Sequence, residues 1–143
     1  MTDLEKAKTL LHQAGATCVL CRGDSVISDT RRGIRPLLEL LDSGKDFSDY
    51  SAADKVVGKA AAHIYCLLGI RQLYARTVSQ PALDLLTENG VDIRWDNTVP
   101  AIQNRTQTGL CPMESAVWTI SDHNKAVQAL RFTLAELIKG HTI

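Results

Sequence analysis

Between Ile70 and Asp96 the chain reads IRQLYARTV, SQPALDLLTENG and VDIRWD in succession. Two β-favouring runs flank a short amphipathic helix, with Pro81 in its first turn and Asn89-Gly90 at its end. A strand–helix–strand unit of this length favours two parallel neighbours joined by a right-handed crossover. It removes all-α and all-β architectures and requires helices over the faces of a sheet.

The flanking segments extend that pattern. DLEKAKTLLHQAG, from Asp3, predicts a helix with Leu4, Ala7, Leu10, Leu11 and Ala14 on one stripe and Gly15 as its stop. Runs 16–22 and 25–30 flank Gly23-Asp24 and predict a hairpin. In RRGIRPLLELLDSG, Pro36 suits a first helical turn, and Gly44 can end the helix carried by Leu37, Leu38, Leu40 and Leu41. DFSDYSAADKVVGKAAAHIYCLLG predicts a long central helix closed by Gly69, with Ser51 and Asp54 at capping-box spacing. Residues 96–111 lack periodicity and read as a long loop, and PMESAVWTI and DHNKAVQALRFTLAELIKG read as two final helices. The predicted order is α-β-β-α-α-β-α-β-α-α. That is an α/β protein, a three-layer α/β/α sandwich with a mixed sheet, in a single domain over 1–143.

Totals exclude several functions. Sixteen basic and sixteen acidic residues cancel, so no global field attracts nucleic acid or an anionic membrane. No stretch approaches the ~18 apolar residues of a membrane helix, and the amphipathic start MTDLEKAKTLLHQ lacks a signal peptide's apolar core. A cytoplasmic location follows as an expectation, and Cys18, Cys21, Cys66 and Cys111 are then free thiols. CVLC at 18–21 has CxxC spacing, but in a strand its cysteines face opposite sides, and no second ligand pair completes a zinc set. His12, His63, His123 and His141 lie on separate elements, with His63 in mid-helix. No Ser-His-Asp order, Walker loop, GxGxxG or HExxH is present.

Ligands of open α/β sheets collect beyond the carboxyl ends of strands, where helix starts offer unpaired N–H groups. Four segments qualify. Arg31, Arg32 and Arg35 surround Gly33 just before a helix and suit a phosphate, or form a solvated turn. Asp54, Lys55 and Lys59 open the predicted central helix, where an acidic residue is also expected from the helix dipole. Ser79 caps the next helix or borders a pocket. Asn104 and Arg105 stand in the long loop, which ends at Cys111. With Pro112 in the first helical position and Glu114 as a third-position residue that can bond back to the cap, Cys111 reads as an N-cap whose thiol can also meet a ligand.

GIRPLLELL (33–41), ADKVVGKAAA (53–62), VSQPALDLL (78–86) and GLCPMES (109–115) together resemble DUF1893, a prokaryotic family of uncharacterised domains, over nearly the whole chain. The resemblance implies a cytidine-deaminase-like fold. A zinc deaminase places an HxE-type motif at one core helix start and PCxxC at the next. Aligned on that pattern, Asp54 stands at the first with no Glu two residues later, and Ala82 follows Pro81 where the cysteine would be. The resemblance therefore implies a deaminase-like scaffold with no zinc, no cofactor and no standard deamination. What persists is a pocket lined by Asp54, Lys55, Ser79 and Pro81 and closed by the Arg-rich turn and the long loop.

Two functions remain. One is a binding or sensing module for a nucleotide-like small molecule of about ADP-ribose size. The other is a zinc-independent enzyme with Cys111 as reactive thiol and Asp54 or Glu114 as base or orienter. A homo-oligomer is a third element of the reading, with Trp95 or Trp118 marking an interface if exposed.

Overall fold

The computed structural model describes residues 1–13 and 15–141, so the stripe position Ala14 lies outside the described residues. The elements run α1 (Asp3–Gln13), β1 (Cys18–Arg22), β2 (Ser25–Asp29), α2 (Arg35–Asp42), β3 (Ser51–Val57), α3 (Lys59–Leu68), β4 (Gln72–Ser79), α4 (Gln80–Glu88), β5 (Asp92–Val99), α5 (Pro112–Val117) and α6 (His123–His141). The five strands form one mixed sheet in the order β2-β1-β3-β4-β5. β1 is antiparallel to both β2 and β3, while β3, β4 and β5 are parallel.

The hairpin forms at the expected place. Arg22 pairs with Ser25, which leaves Gly23-Asp24 as a two-residue turn with Gly23 at φ 55°. The crossover from β4 through α4 to β5 also follows the sequence reading, and β5 runs three residues past the predicted Asp96. At the end of α3, Gly69 takes a left-handed φ of 82° and its N–H bonds the Cys66 carbonyl.

The central segment departs from the expectation. Residues 51–68 are not one helix: Ser51–Val57 is the middle strand of the sheet, and the helix starts only at Lys59. The Ser51–Asp54 capping box is therefore absent, and Asp54 lies within a strand. SAADKVV is buried on both faces, as a central strand must be, so it shows no period-2 alternation to distinguish it from helix. The strand turns at Asp54, whose Oδ1 accepts the Val56 N–H at 3.3 Å. Past that point Val57 joins the same core as Ala52, three positions from Asp54 instead of two or four.

Two apolar clusters flank the sheet. On one face α1 covers β1, β3 and β4 through Ala7, Leu11, Val19, Cys21, Ala53 and Tyr74. On the other, α2, α3 and α4 cover the sheet, with α5 and α6 packed against α3, around Leu37, Ile64, Tyr65, Leu73, Leu86 and Leu130. Cys18 belongs to the second cluster and Cys21 to the first, so the CxxC pair does face opposite sides. Among the described residues no helix is long and apolar enough to cross a membrane.

Candidate functional site at the carboxyl edge of the sheet

Strands β3, β4 and β5 end at Val57, Ser79 and Val99 along one edge. β2 ends at Asp29 on the same edge, because Cys18 of antiparallel β1 registers with both Asp29 and Asp54. The sequence-predicted residues Arg31, Arg32, Arg35, Asp54, Lys55, Lys59, Ser79, Asn104, Arg105 and Cys111 all belong to segments that border this edge. Their individual environments differ sharply.

The start of α3 is already filled. Glu114, 2% exposed, accepts the Lys59 N–H at 2.7 Å and the Ala60 N–H at 2.8 Å, one with each carboxylate oxygen. A carboxylate thus sits where the helix presents its unpaired donors and its positive end. Gly58 makes this possible through space, since its extended φ of −96° suits any residue while a Cβ there would collide with the Glu114 carboxylate. Burial pushes the Glu114 carboxyl above its usual range, and the two amides and Lys59 pull it back. Lys59 adds a bond from its ammonium to the Trp118 carbonyl at 3.0 Å. The capping-box expectation is corrected here: Glu114 reaches across to α3 instead of back to Cys111, and Cys111 at the N-cap makes no side-chain capping bond.

Asp54 anchors a buried chain. Tyr65 donates its hydroxyl to Asp54 Oδ2 at 2.6 Å, and the Cys18 thiol lies 3.3 Å from the same Tyr65 oxygen. Because the hydroxyl proton is spent on Asp54, the thiol is the donor of the second bond. Burial pushes Asp54 up to about 7, against the opposing Tyr65 bond. The same burial, with the Asp54 charge beside it, raises the Cys18 thiol far above its usual value. A thiol so placed is a poor nucleophile.

Arg31 is committed as well. Its guanidinium donates to both carboxylate oxygens of Glu39 at 2.8 and 2.6 Å and reaches both of Asp29 at 3.1 and 2.8 Å. The Thr17 hydroxyl donates to the Arg31 carbonyl at 2.7 Å, which fixes the turn against β1. This corrects the picture of three equivalent arginines: Arg31 is a structural fork, while Arg32 and Arg35 are exposed and form no ion pair among the described residues. Lys55 and Arg105 likewise have no carboxylate partner. Next to Arg31 a cavity of about 130 Å³ opens between the β1–β2 hairpin and α2, lined by residues including Cys18, Ser28, Asp29, Pro36 and Glu39.

Ser79 is a cap. Its Oγ accepts the Ala82 N–H at 3.2 Å, and the side chain is fully buried. Asn104 is occupied within its own loop. That loop is a small hairpin joined by Gln103 and Leu110, in which Asn104 Oδ1 accepts the Thr108 N–H at 3.0 Å. Gln107 turns it with φ 56°.

Two features had no sequence signal of their own. Tyr65 emerged only once β3 placed Asp54 opposite α3. His63 and His123 approach Nδ1 to Nδ1 at 2.8 Å, with His63 Nε2 3.1 Å from the Ile120 carbonyl. The carbonyl only accepts, so neutral His63 carries its proton on Nε2 and receives one from His123. Burial and the neighbouring His123 lower His63 to about 4. Among the described residues no three His, Cys, Asp or Glu side chains stand close enough to hold a metal ion.

These elements define a small mixed α/β domain in which the starts of α2, α3 and α4 follow the strand ends along one edge of a five-stranded sheet. The chain belongs to the DUF1893 family: the family model, a domain of unknown function, matches residues 6–134. It is similar to the crystal structure of a DUF1893 family protein (TM1506) from Thermotoga maritima, with 24% identity and a TM-score of 0.83 over 95% of this chain and 91% of that one. No curated protein matches the chain.

Proposed function

We propose that this domain binds a nucleotide or nucleotide derivative at the carboxyl edge of its sheet, on a cytidine-deaminase-like scaffold without a zinc site. The observation that carries the reading is the group Arg32, Arg35 and Lys55 beside that edge, which, like Arg105 in the loop that follows β5, form no ion pair among the described residues. Nearby carboxylates are otherwise engaged: Asp29 and Glu39 by Arg31, and Glu114 by α3. The edge therefore attracts anions although the chain as a whole carries no net charge.

The cavity beside α2 divides the ligand. At about 130 Å³ it is smaller than the roughly 300 Å³ at which sites for drug-sized molecules begin, so it takes a sugar-sized part only. Asp29 and Glu39 retain lone pairs that accept from ribose hydroxyls, while phosphates meet Arg32 and Arg35 outside. The thiol reading has no comparable support. Glu114 spends both oxygens on α3 and Asp54 is bonded to Tyr65, so neither is placed as a base for Cys111.

Calorimetry and thermal melts with AMP, ADP, ADP-ribose and inorganic phosphate test the reading. Saturable heat is expected for at least one nucleotide, with a stabilisation of about 2.7 kcal/mol at a hundredfold excess over Kd. Arg32→Glu combined with Arg35→Glu abolishes it while the unliganded melt stays the same. No heat at millimolar ligand, with unchanged melting, overturns the reading.

A further inference from the structure

We propose that two copies of this chain associate through β5, in an antiparallel pairing centred on Trp95 that continues the sheet from one protomer into the next. β5 is an edge strand, eight residues long, with no proline. Among the described residues its only backbone partners lie on the β4 side. The Asp92 N–H bonds the Arg71 carbonyl at 2.8 Å, toward β4. Alternate residues of a parallel strand point their N–H and C=O the same way, so Ile93, Trp95 and Asn97 turn theirs outward. An open edge of this length is a template for another strand.

The charges select the occupant and the register. Residues opposite one another in an antiparallel pair share the same orientation, so a twofold axis must pass through a residue of β5. Axes at Arg94 or Asp96 set like charges face to face. An axis at Trp95 places each Arg94 opposite the other copy's Asp96, twice, in the close non-hydrogen-bonded positions. It also opposes Ile93 to Asn97 and overlaps almost the whole strand. Both side chains are available: Arg94 is exposed and, among the described residues, forks only to Asp92, and Asp96 uses one oxygen for the Tyr74 hydroxyl at 2.6 Å. On the other face Trp95, 43% exposed, lies in an open groove of about 560 Å³ with Leu83, Val91 and Ile93. The pairing brings the two Trp95 rings together over that groove, covering apolar surface that one protomer leaves wet. A lone strand edge carrying one sign of charge would repel its copy; this one is complementary to itself.

Sedimentation velocity over a concentration series tests the proposal, with thermal melts confirming that each variant folds. The native chain is expected to dimerise. Arg94→Asp and Asp96→Arg alone each weaken the dimer roughly tenfold or more, because both cross-strand pairs become repulsive. The double change Arg94→Asp with Asp96→Arg restores it, and an equimolar mixture of the two single variants forms a mixed dimer. If either single variant fails to fold, Asn97→Pro serves instead: it removes an outward N–H, costs β4 only the long 3.5 Å bond from the Asn97 amide to the Arg76 carbonyl, and abolishes association. A native chain that stays monomeric up to about a millimolar, single variants that dimerise like the native chain, or a double variant that does not recover, overturns it.

Discussion

Gly58 and Glu114 are a matched pair, and each explains the other. The glycine leaves the space that the carboxylate fills, and the carboxylate satisfies two of the N–H groups that open α3. Gly58→Ala is expected to destabilise by about 1–3 kcal/mol, because the new methyl forces Glu114 off its amides. In a background of Glu114→Ala, already weakened by roughly 2 kcal/mol, the same glycine change should cost well under 1 kcal/mol. A double-mutant cycle by chemical denaturation measures this, and additive effects would show that the two sites are independent. Sequence reading found Glu114 but gave it the wrong partner: Cys111 is the nearest cap by spacing, whereas the actual donors lie 54 and 55 positions away. No local pattern encodes a contact of that separation. Arg31, Arg32 and Arg35 were equally indistinguishable until Glu39 came within reach of one of them.

At the level of elements, the terminal helix, hairpin and crossover were legible because each carries its own punctuation. Gly23-Asp24 makes a tight turn, and Ser79, Pro81 and Gly90 bracket α4. β3 was not legible. A strand with helices over both faces loses alternation, and SAADKVV runs straight into KAAAHIYCLL with only Gly58 between them. Reading the two as one helix hid the central strand and placed Asp54 at a helix start. The error changes the chemistry assigned to Asp54: an exposed first-turn acid would be ionised, whereas a strand position under α3 gives it Tyr65 and a carboxyl that titrates near neutrality.

Among the buried groups of the molecule, Asp54 and His63 answer pH in opposite senses. Asp54 rises from 3.8 to about 7, so its contribution to stability is complete below pH 3.8 and is lost as pH climbs through 7. His63 falls from 6.5 to about 4, so its contribution is complete above pH 6.5 and is lost as pH drops through 4. Between about pH 4 and 6.5 unfolding releases a proton at one and takes up a proton at the other, and the slopes cancel. Stability of the native chain is expected to change less across that window than either group alone would make it. Asp54→Asn exposes a profile that rises with pH, by up to roughly 3 kcal/mol, and His63→Gln one that falls by a similar amount. Urea denaturation at half-unit pH steps decides this, and parallel profiles for all three proteins would refute it.

The clasp of Glu114 on α3 also bears on how long the folded molecule lasts. Joining positions so far apart in the chain requires a large loop to close, and α5 has only six residues with which to hold its shape beforehand. Such a contact is expected to form after the sheet and α3 have met, downstream of the rate-limiting barrier. Glu114→Gln, which points an amide donor at a backbone donor, should therefore accelerate unfolding several-fold and leave the refolding arm of a stopped-flow chevron almost unmoved. The buried carboxylate then acts chiefly as a latch: it sets the lifetime of the native state rather than the speed of reaching it.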